Sequence, residues 1–189
     1  MDLLVPTSTH ACILAACTDP CFHSGEHQRE RIHIQLSDAK QDAGAFGTWL
    51  AAGAEIVTIN WFQGLTLVYL PERDTFYFAS PSVLLAPDCP EKTVLLGQFV
   101  IDDTPRILLF DIVKLRGVSM KDVPASERYA CLQKLEHAFG PLCSLQWAGQ
   151  CDALAAELQA GRFAVPHKVR GVVALTGHPG RMVLQEIKQ

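Results

Sequence analysis

Apolar and polar positions show no sustained period over the first 36 residues, where short apolar runs are broken by a His-, Arg- and Glu-rich stretch at 23–31. Ser37 then offers a helix N-cap with Asp38 in the first turn, and the pattern predicts a helix running to about Gly53 in spite of Gly44 and Gly47. From Glu55 the pattern changes to strands. Glu55–Asn60, Leu65–Leu70 and Thr75–Ala79 are β-branched or aromatic runs, punctuated by Gly64 and by Pro71-Glu-Arg-Asp74. Thr93–Ile101 and Arg106–Ile112 form a further pair around the turn Asp102–Pro105. Pro124-Ala-Ser-Glu-Arg opens an amphipathic helix with Tyr129, Leu132, Leu135, Ala138 and Phe139 on one face. A second helix at Asp152–Gln159 ends at Gly161, and Gly171–Thr176 and Arg181–Ile187 read as a last hairpin. The expected class is α+β, dominated by antiparallel strands, with an irregular segment at 1–36 and one domain at 37–189.

Composition narrows the function classes. With 49% hydrophobic and 19% charged residues in 189, the chain has apolar surface enough for a sizeable core and is not of the disordered class. No apolar run reaches the roughly 18 residues of a membrane helix. The start lacks a basic region ahead of its short apolar stretch, so a secretory signal is not expected. A net charge of −4 weighs against holding nucleic acid mainly through phosphates. The 7 cysteines are scattered and read as reduced intracellular thiols. Cys17, Cys21, His23 and His27 have ligand-like pair spacing, but only Phe22 separates the pairs, where a finger-type zinc site needs about a dozen residues. No metal and no cofactor are expected.

The stretch Thr93-Val-Leu-Leu-Gly-Gln-Phe-Val-Ile-Asp102, then Pro105–Val113, Gly117 and Pro124-Ala-Ser-Glu-Arg-Tyr129, resembles the nucleotidyltransferase domain shared by messenger-RNA capping guanylyltransferases and polynucleotide ligases. Those proteins carry a T-L-L-D-G-E-x-V strand, an F-D-I strand, a glycine turn and a helix opening near S-E-R. Snurportin-type cap importers look like non-catalytic members, and Thr48-Trp49-Leu50 is similar to their S-x-W-L segment. The resemblance covers about residues 46–187 and is most specific over 93–129. It implies an antiparallel-sheet (ATP-grasp-like) nucleotidyltransferase domain with inserted helices and no OB-fold domain.

The resemblance also implies that the chemical groups are gone. The active relatives attack an α-phosphate with the lysine of a K-x-D-G turn between two strands. Strand register places that turn at Trp61-Phe-Gln-Gly64, with Trp61 at the lysine and Gln63 at the aspartate. Leu96 and Gln98 stand for the D and E of D-G-E, and Lys168-Val-Arg-Gly171 for a later carboxylate-bearing segment. No P-loop, H-E-x-x-H or G-x-S-x-G motif is present.

Several residues then have two readings. Trp49, at the end of the expected helix, either packs on the sheet or stacks on a methylated guanine, as the resemblance implies. Trp61 and Phe62, at the turn facing the nucleotide cleft, contact a ligand or partner, or pack. Gln63 and Gln98 read a guanine edge or satisfy buried backbone groups. Lys168 and Arg170 hold cap phosphates or lie on a solvated strand. Asp111 is expected to make a structural hydrogen bond and Trp147 to pack in the core.

The leading expectation is a catalytically inactive binding module for an RNA 5′ cap or guanine nucleotide, with protein partners in an RNA-processing or transport complex, no membrane, and an intracellular location in nucleus or cytoplasm. The alternative is an interaction subunit of an RNA-processing complex with its nucleotide cleft filled, which a buried Trp61 would favour. An active RNA guanylyltransferase is the minor alternative.

Overall fold

The computed structural model describes residues 17–20, 34–38, 40–79, 83–101, 105–162, 165 and 167–187. Thirteen strands and two helices are named in chain order: β1 Cys17–Pro20, β2 Gln35–Ser37, β3 Phe46–Ala51, β4 Glu55–Phe62, β5 Leu65–Leu70, β6 Thr75–Ala79, β7 Thr93–Ile101, β8 Pro105–Leu115 and β9 Val118–Ser119. Helix α1 (Ala125–Lys134) follows, then β10 Cys143–Leu145, β11 Ala148–Gln150, helix α2 (Cys151–Gln159), β12 Val169–Leu175 and β13 Arg181–Glu186. One sheet runs β1-β6-β5-β4-β7-β8-β10, with β9 paired to β8; the second runs β11-β3-β12-β13-β2. Pairing is antiparallel except for β10 on β8 and β2 on β13.

The sheets face each other. Leu50, Val173, Leu175, Met182 and Leu184 of the five-stranded sheet meet Val94, Leu96, Phe110 and Val113 of the larger one in a single buried cluster. The far face of the larger sheet carries Val57, Ile59, Trp61, Leu95 and Leu109 and is covered in part by Tyr129 and Leu132 of α1. The far face of the smaller sheet packs Trp49, Ala51 and Val172 against Cys151, Leu154 and Ala155 of α2. Strands β4, β7 and β8 are thus buried on both faces, which is why they read as near-continuous apolar runs.

The helix expected over 37–53 is not there. Residues 46–51 form β3, held between β11 and β12. Gly47 has a reason to be glycine in that position, since a Cβ there would lie 2.0 Å from the Val173 carbonyl oxygen and 2.5 Å from Cys151 Sγ. Tertiary pairing overrides the local helical preference of an Ala-rich run. The expected boundary at 36/37 falls inside β2, and part of the N-terminal segment expected to be irregular, 17–20 and 35–36, is in strands. Trp147 is also not in the core: it lies between β10 and β11, 43% exposed, with its ring over Gly149.

Asp111 and Arg128 form a fully buried pair joining β8 to α1. The guanidinium donates to both carboxylate oxygens at 2.7 and 2.9 Å, to the Val123 carbonyl at 2.6 Å and to the Thr176 carbonyl at 2.8 Å. The Ile112 N–H adds a bond to the carboxylate at 2.8 Å. Burial pushes the Asp111 carboxyl up, against the downward pull of Arg128 and the Ile112 N–H. The structural hydrogen bond expected of Asp111 is therefore present.

Candidate functional site

The chain crosses from the smaller sheet to the larger one at Ala52–Gly53, between β3 and β4. Gly53 takes φ +74°, open to any residue in space but strained for all except glycine. The Ala52 N–H donates to the Lys168 carbonyl at 2.7 Å, which ties the crossing to the start of β12. Beside it, the Gln98 side chain is completely buried and fully used. Its Oε1 accepts from the Ala51 N–H at 2.9 Å, and its Nε2 donates to the Trp49 carbonyl at 3.1 Å and to Gln146 Oε1 at 2.6 Å. Gln146 Nε2 in turn donates to Thr48 Oγ1 at 2.7 Å and to the Trp49 carbonyl at 2.5 Å. These two glutamines stitch the sheets together. Of the two readings for Gln98, the geometry shows the backbone-satisfying one.

The expected site residues fall in two places. Trp49, Gln98 and Lys168 gather at the sheet crossing. Trp49 is 4% exposed and stacks on His167, with ring centroids 5.8 Å apart and planes at 27°. His167 and Lys168 border a cleft of about 180 Å³ that also touches residues 51–54, Phe99 and Val100. Arg170 is exposed on β12 and pairs with Glu186 at 3.3 Å, so it points away from that group. His167 was not foreseen, because its ring meets Trp49 only through the return of β12.

Trp61, Phe62 and Gln63 lie at the opposite end of β4, about 24 Å along the strand from Glu55 at 3.4 Å per residue. The Trp61–Gly64 turn joins two adjacent strands of one sheet rather than the two sheets. Trp61 is 3% exposed within the core, and its Nε1 has no hydrogen-bond partner among the described residues. Phe62 is half-buried. Gln63 has φ +49°, and its N–H with that of Gly64 is capped by the Glu91 carboxylate at 2.6 and 3.1 Å. Of the two readings for Trp61, packing is the one the structure displays, in the cluster on the face of the larger sheet away from the smaller one. A second segment with glycine in fourth place, Leu50-Ala-Ala-Gly53, does sit at the sheet crossing. That spacing was readable, but the helix expected over 37–53 concealed it.

A second groove, about 540 Å³, opens between Asp38, Lys40 and Gln41, the end of β13 and α2. Asp38, Asp152 and Glu186 line it against the single cation Lys40, a charge balance that repels phosphate.

Among the described residues three thiols are buried: Cys89, Cys143 and Cys151. Burial pushes Cys89 up to about 12 and Cys151 up to about 11, and moves Cys143 upward as well. None is a thiolate at neutral pH. In native protein at pH 8 these three should resist iodoacetamide while Cys131, half-buried, is modified before them. Above the ordinary thiol value of 9.0 only the unfolded chain ionises, so these groups should make stability fall as pH rises from 9 toward 11, read by urea unfolding at stepped pH. Equal alkylation of all four, or stability flat across that window, would contradict the burial. The Cys17–His27 cluster weighed for zinc lies outside the described residues, apart from the backbone of Cys17. Among the described residues no group of three or more ligating side chains could hold a metal, and no helix is long and apolar enough to cross a membrane.

Comparison with known proteins adds one finding. Among 40 matching chains of known structure is one described as mycobacterial DNA ligase D complexed with ATP and MES. It superposes with a TM-score of 0.54 over 84% of this chain, at 14% identity. The fold is nucleotidyltransferase-like. At that identity the likeness concerns fold alone, and this chain spans 61% of the ligase chain. No family profile matches the sequence, and no curated protein matches it either.

Proposed function

We propose that this chain is a catalytically inert nucleotidyltransferase-like domain serving as an interaction subunit, with its inter-sheet cleft filled. The observation that carries this is the state of Leu96 and Gln98, where the resemblance places the D-G-E carboxylates. Leu96 lies in the apolar cluster between the sheets, and every hydrogen-bonding atom of Gln98 is spent inside the protein. A ligand reaching that position would have to break the contacts that hold the sheets together. The crossing segment Leu50–Gly53 supplies no lysine, and neither does Trp61–Gly64. Buried Trp61 favours this reading over an open cleft. The resemblance to capping enzymes and snurportin-type importers points to partners in an RNA-processing or transport complex, in nucleus or cytoplasm.

Incubation with α-labelled GTP or ATP and a divalent metal should leave no covalent label on the protein, and no cap analogue should bind more tightly than about millimolar, near −4 kcal/mol. A heat- and acid-labile phosphoramidate adduct would overturn the inert reading; a micromolar cap complex would overturn the filled cleft.

The second reading, recognition of a guanine nucleotide or cap, draws on one observation. Lys168 and the imidazole of His167, which is stacked on the buried Trp49, put a cation and an aromatic ring on the wall of a cleft. At about 180 Å³ that cleft is below the 300–1,000 Å³ usual for small-molecule sites.

A further inference from the structure

Strand β13 outruns one of its neighbours. On one side β12 pairs with it from Met182 to Glu186, but on the other β2 reaches only from Arg181 to Val183. The Gly180 carbonyl accepts the Gln35 N–H at 2.8 Å, so alternate residues Met182, Leu184 and Glu186 turn their backbone toward the β2 side. Beyond Ser37 that edge has no strand beside it among the described residues. Leu184, Gln185 and Glu186 line the groove of about 540 Å³ instead. An uncovered edge is a template for an extended chain.

The walls of the groove say which chain. Asp38, Asp152 and Glu186 set three carboxylates against Lys40, and all four residues are exposed. Glu186 meets Arg170 at 3.3 Å, an exposed pair of small stabilising effect that a second cation can join. Gln41 adds an acceptor. Its Nε2 donates to the Val172 and Val183 carbonyls at 3.0 and 2.9 Å, while its Oε1 is buried with no partner among the described residues. Cationic N–H donors complement such a wall.

We propose that this groove docks an extended basic segment of a partner protein, which adds as a strand to Leu184–Glu186 and lays Arg or Lys side chains on Asp38 and Asp152. This rests on the interaction reading and gives the partner its chemistry. The groove shares no lining residue with the cleft at His167 and Lys168.

The test is calorimetric titration of the full chain with the peptide acetyl-Arg-Val-Arg-Val-Arg-amide. Affinity should fall as salt is added, and the same peptide with Glu in place of Arg should not bind. Asp38→Asn/Asp152→Asn should weaken binding about three- to 30-fold, the effect of two exposed charge pairs. Because that double change also alters the first turn of α2, Lys40→Ala supplies a readout of opposite sign. Removing the competing cation should tighten binding about two- to fivefold. Strand addition has a signature of its own: hydrogen exchange should slow at the Glu186 amide and stay unchanged at Gln185, which already faces β12. Equal binding of the two peptides, unaltered affinity in both variants, or Glu186 exchange unmoved while the peptide binds would overturn the proposal. Absence of peptide binding would overturn it as well and leave the interaction reading with another surface, since that reading falls only to a nucleotide adduct or a tight cap complex.

Discussion

Replacing Arg128 with methionine should cost the fold about 3–5 kcal/mol, the usual consequence of stranding one member of a buried ion pair. The loss reaches beyond Asp111. The Val123 and Thr176 carbonyls lose their donor as well, so the start of α1 and the β12–β13 turn are released together. With the guanidinium gone, burial is opposed only by the Ile112 N–H and raises the Asp111 carboxyl further. A carboxyl raised in the folded state favours folding at low pH and opposes it as pH climbs past the unfolded value of 3.8, so the deficit should be smaller at pH 4 than at pH 7. Asp111→Leu combined with Arg128→Met removes both charges and should be less destabilised than the sum of the single changes. Urea unfolding of the four proteins measures all of this. A deficit below about 1 kcal/mol for Arg128→Met would mean that the pair is not the clamp described.

The second large effect is expected from Gln98→Glu, the change that supplies the carboxylate of the D-G-E motif that the β7 sequence resembles. In this fold the carboxylate would face the Trp49 carbonyl and Gln146 Oε1, two acceptors that now receive the Gln98 amide. It would be fully buried, and each acceptor left unpaired costs about 1–3 kcal/mol. A total loss of about 3 kcal/mol or more is expected, visible as a drop in thermal midpoint, with no gain in nucleotide labelling. A Gln98→Glu protein as stable as the wild type, and labelled by GTP, would show that the inter-sheet space still accommodates a nucleotide.

The strands from Glu55 onward were legible because β4, β7 and β8 bury both faces and so write long apolar runs, with Gly64 and Pro71 marking where they stop. Helix α1 was legible from Tyr129, Leu132 and Leu135 on one face. Strand β3 of the smaller sheet was not. The partners of β3 are Ala148–Gln150 and Val169–Ala174, far along the chain, and no local pattern in Phe46–Ala51 announces them. That one error moved the candidate site, because a helix over 37–53 hides a crossing at Ala52–Gly53 and pushes the turn motif on to Trp61. Asp111 makes the structural hydrogen bond expected of it, but from inside β8, which runs on to Leu115, and not from a place ahead of a turn. Arg128 was seen only as the last letter of a helix opening, and pairing with Asp111 needs the spatial meeting of β8 and α1. The two parallel pairings, β2 on β13 and β10 on β8, have no signature in residues this few.

Strand order carries a consequence for how the chain is made. Apart from β1, the larger sheet is drawn from one continuous stretch, β4 to β10, whereas the smaller sheet takes β2 and β3 from before that stretch and β11 to β13 from after it. During synthesis the larger sheet can assemble as soon as Leu145 has emerged. Trp49 must wait for Val172, and β2 for Arg181. Until then Val94, Leu96, Phe110 and Val113 face water, an uncovered apolar surface of the kind that draws chaperones or self-association. Closing so long a loop is also entropically the slowest pairing the chain makes. Truncations that stop short of β13 should therefore yield a half-built sandwich with its sticky side outward, insoluble although most of its hydrogen-bonded strands are already in place.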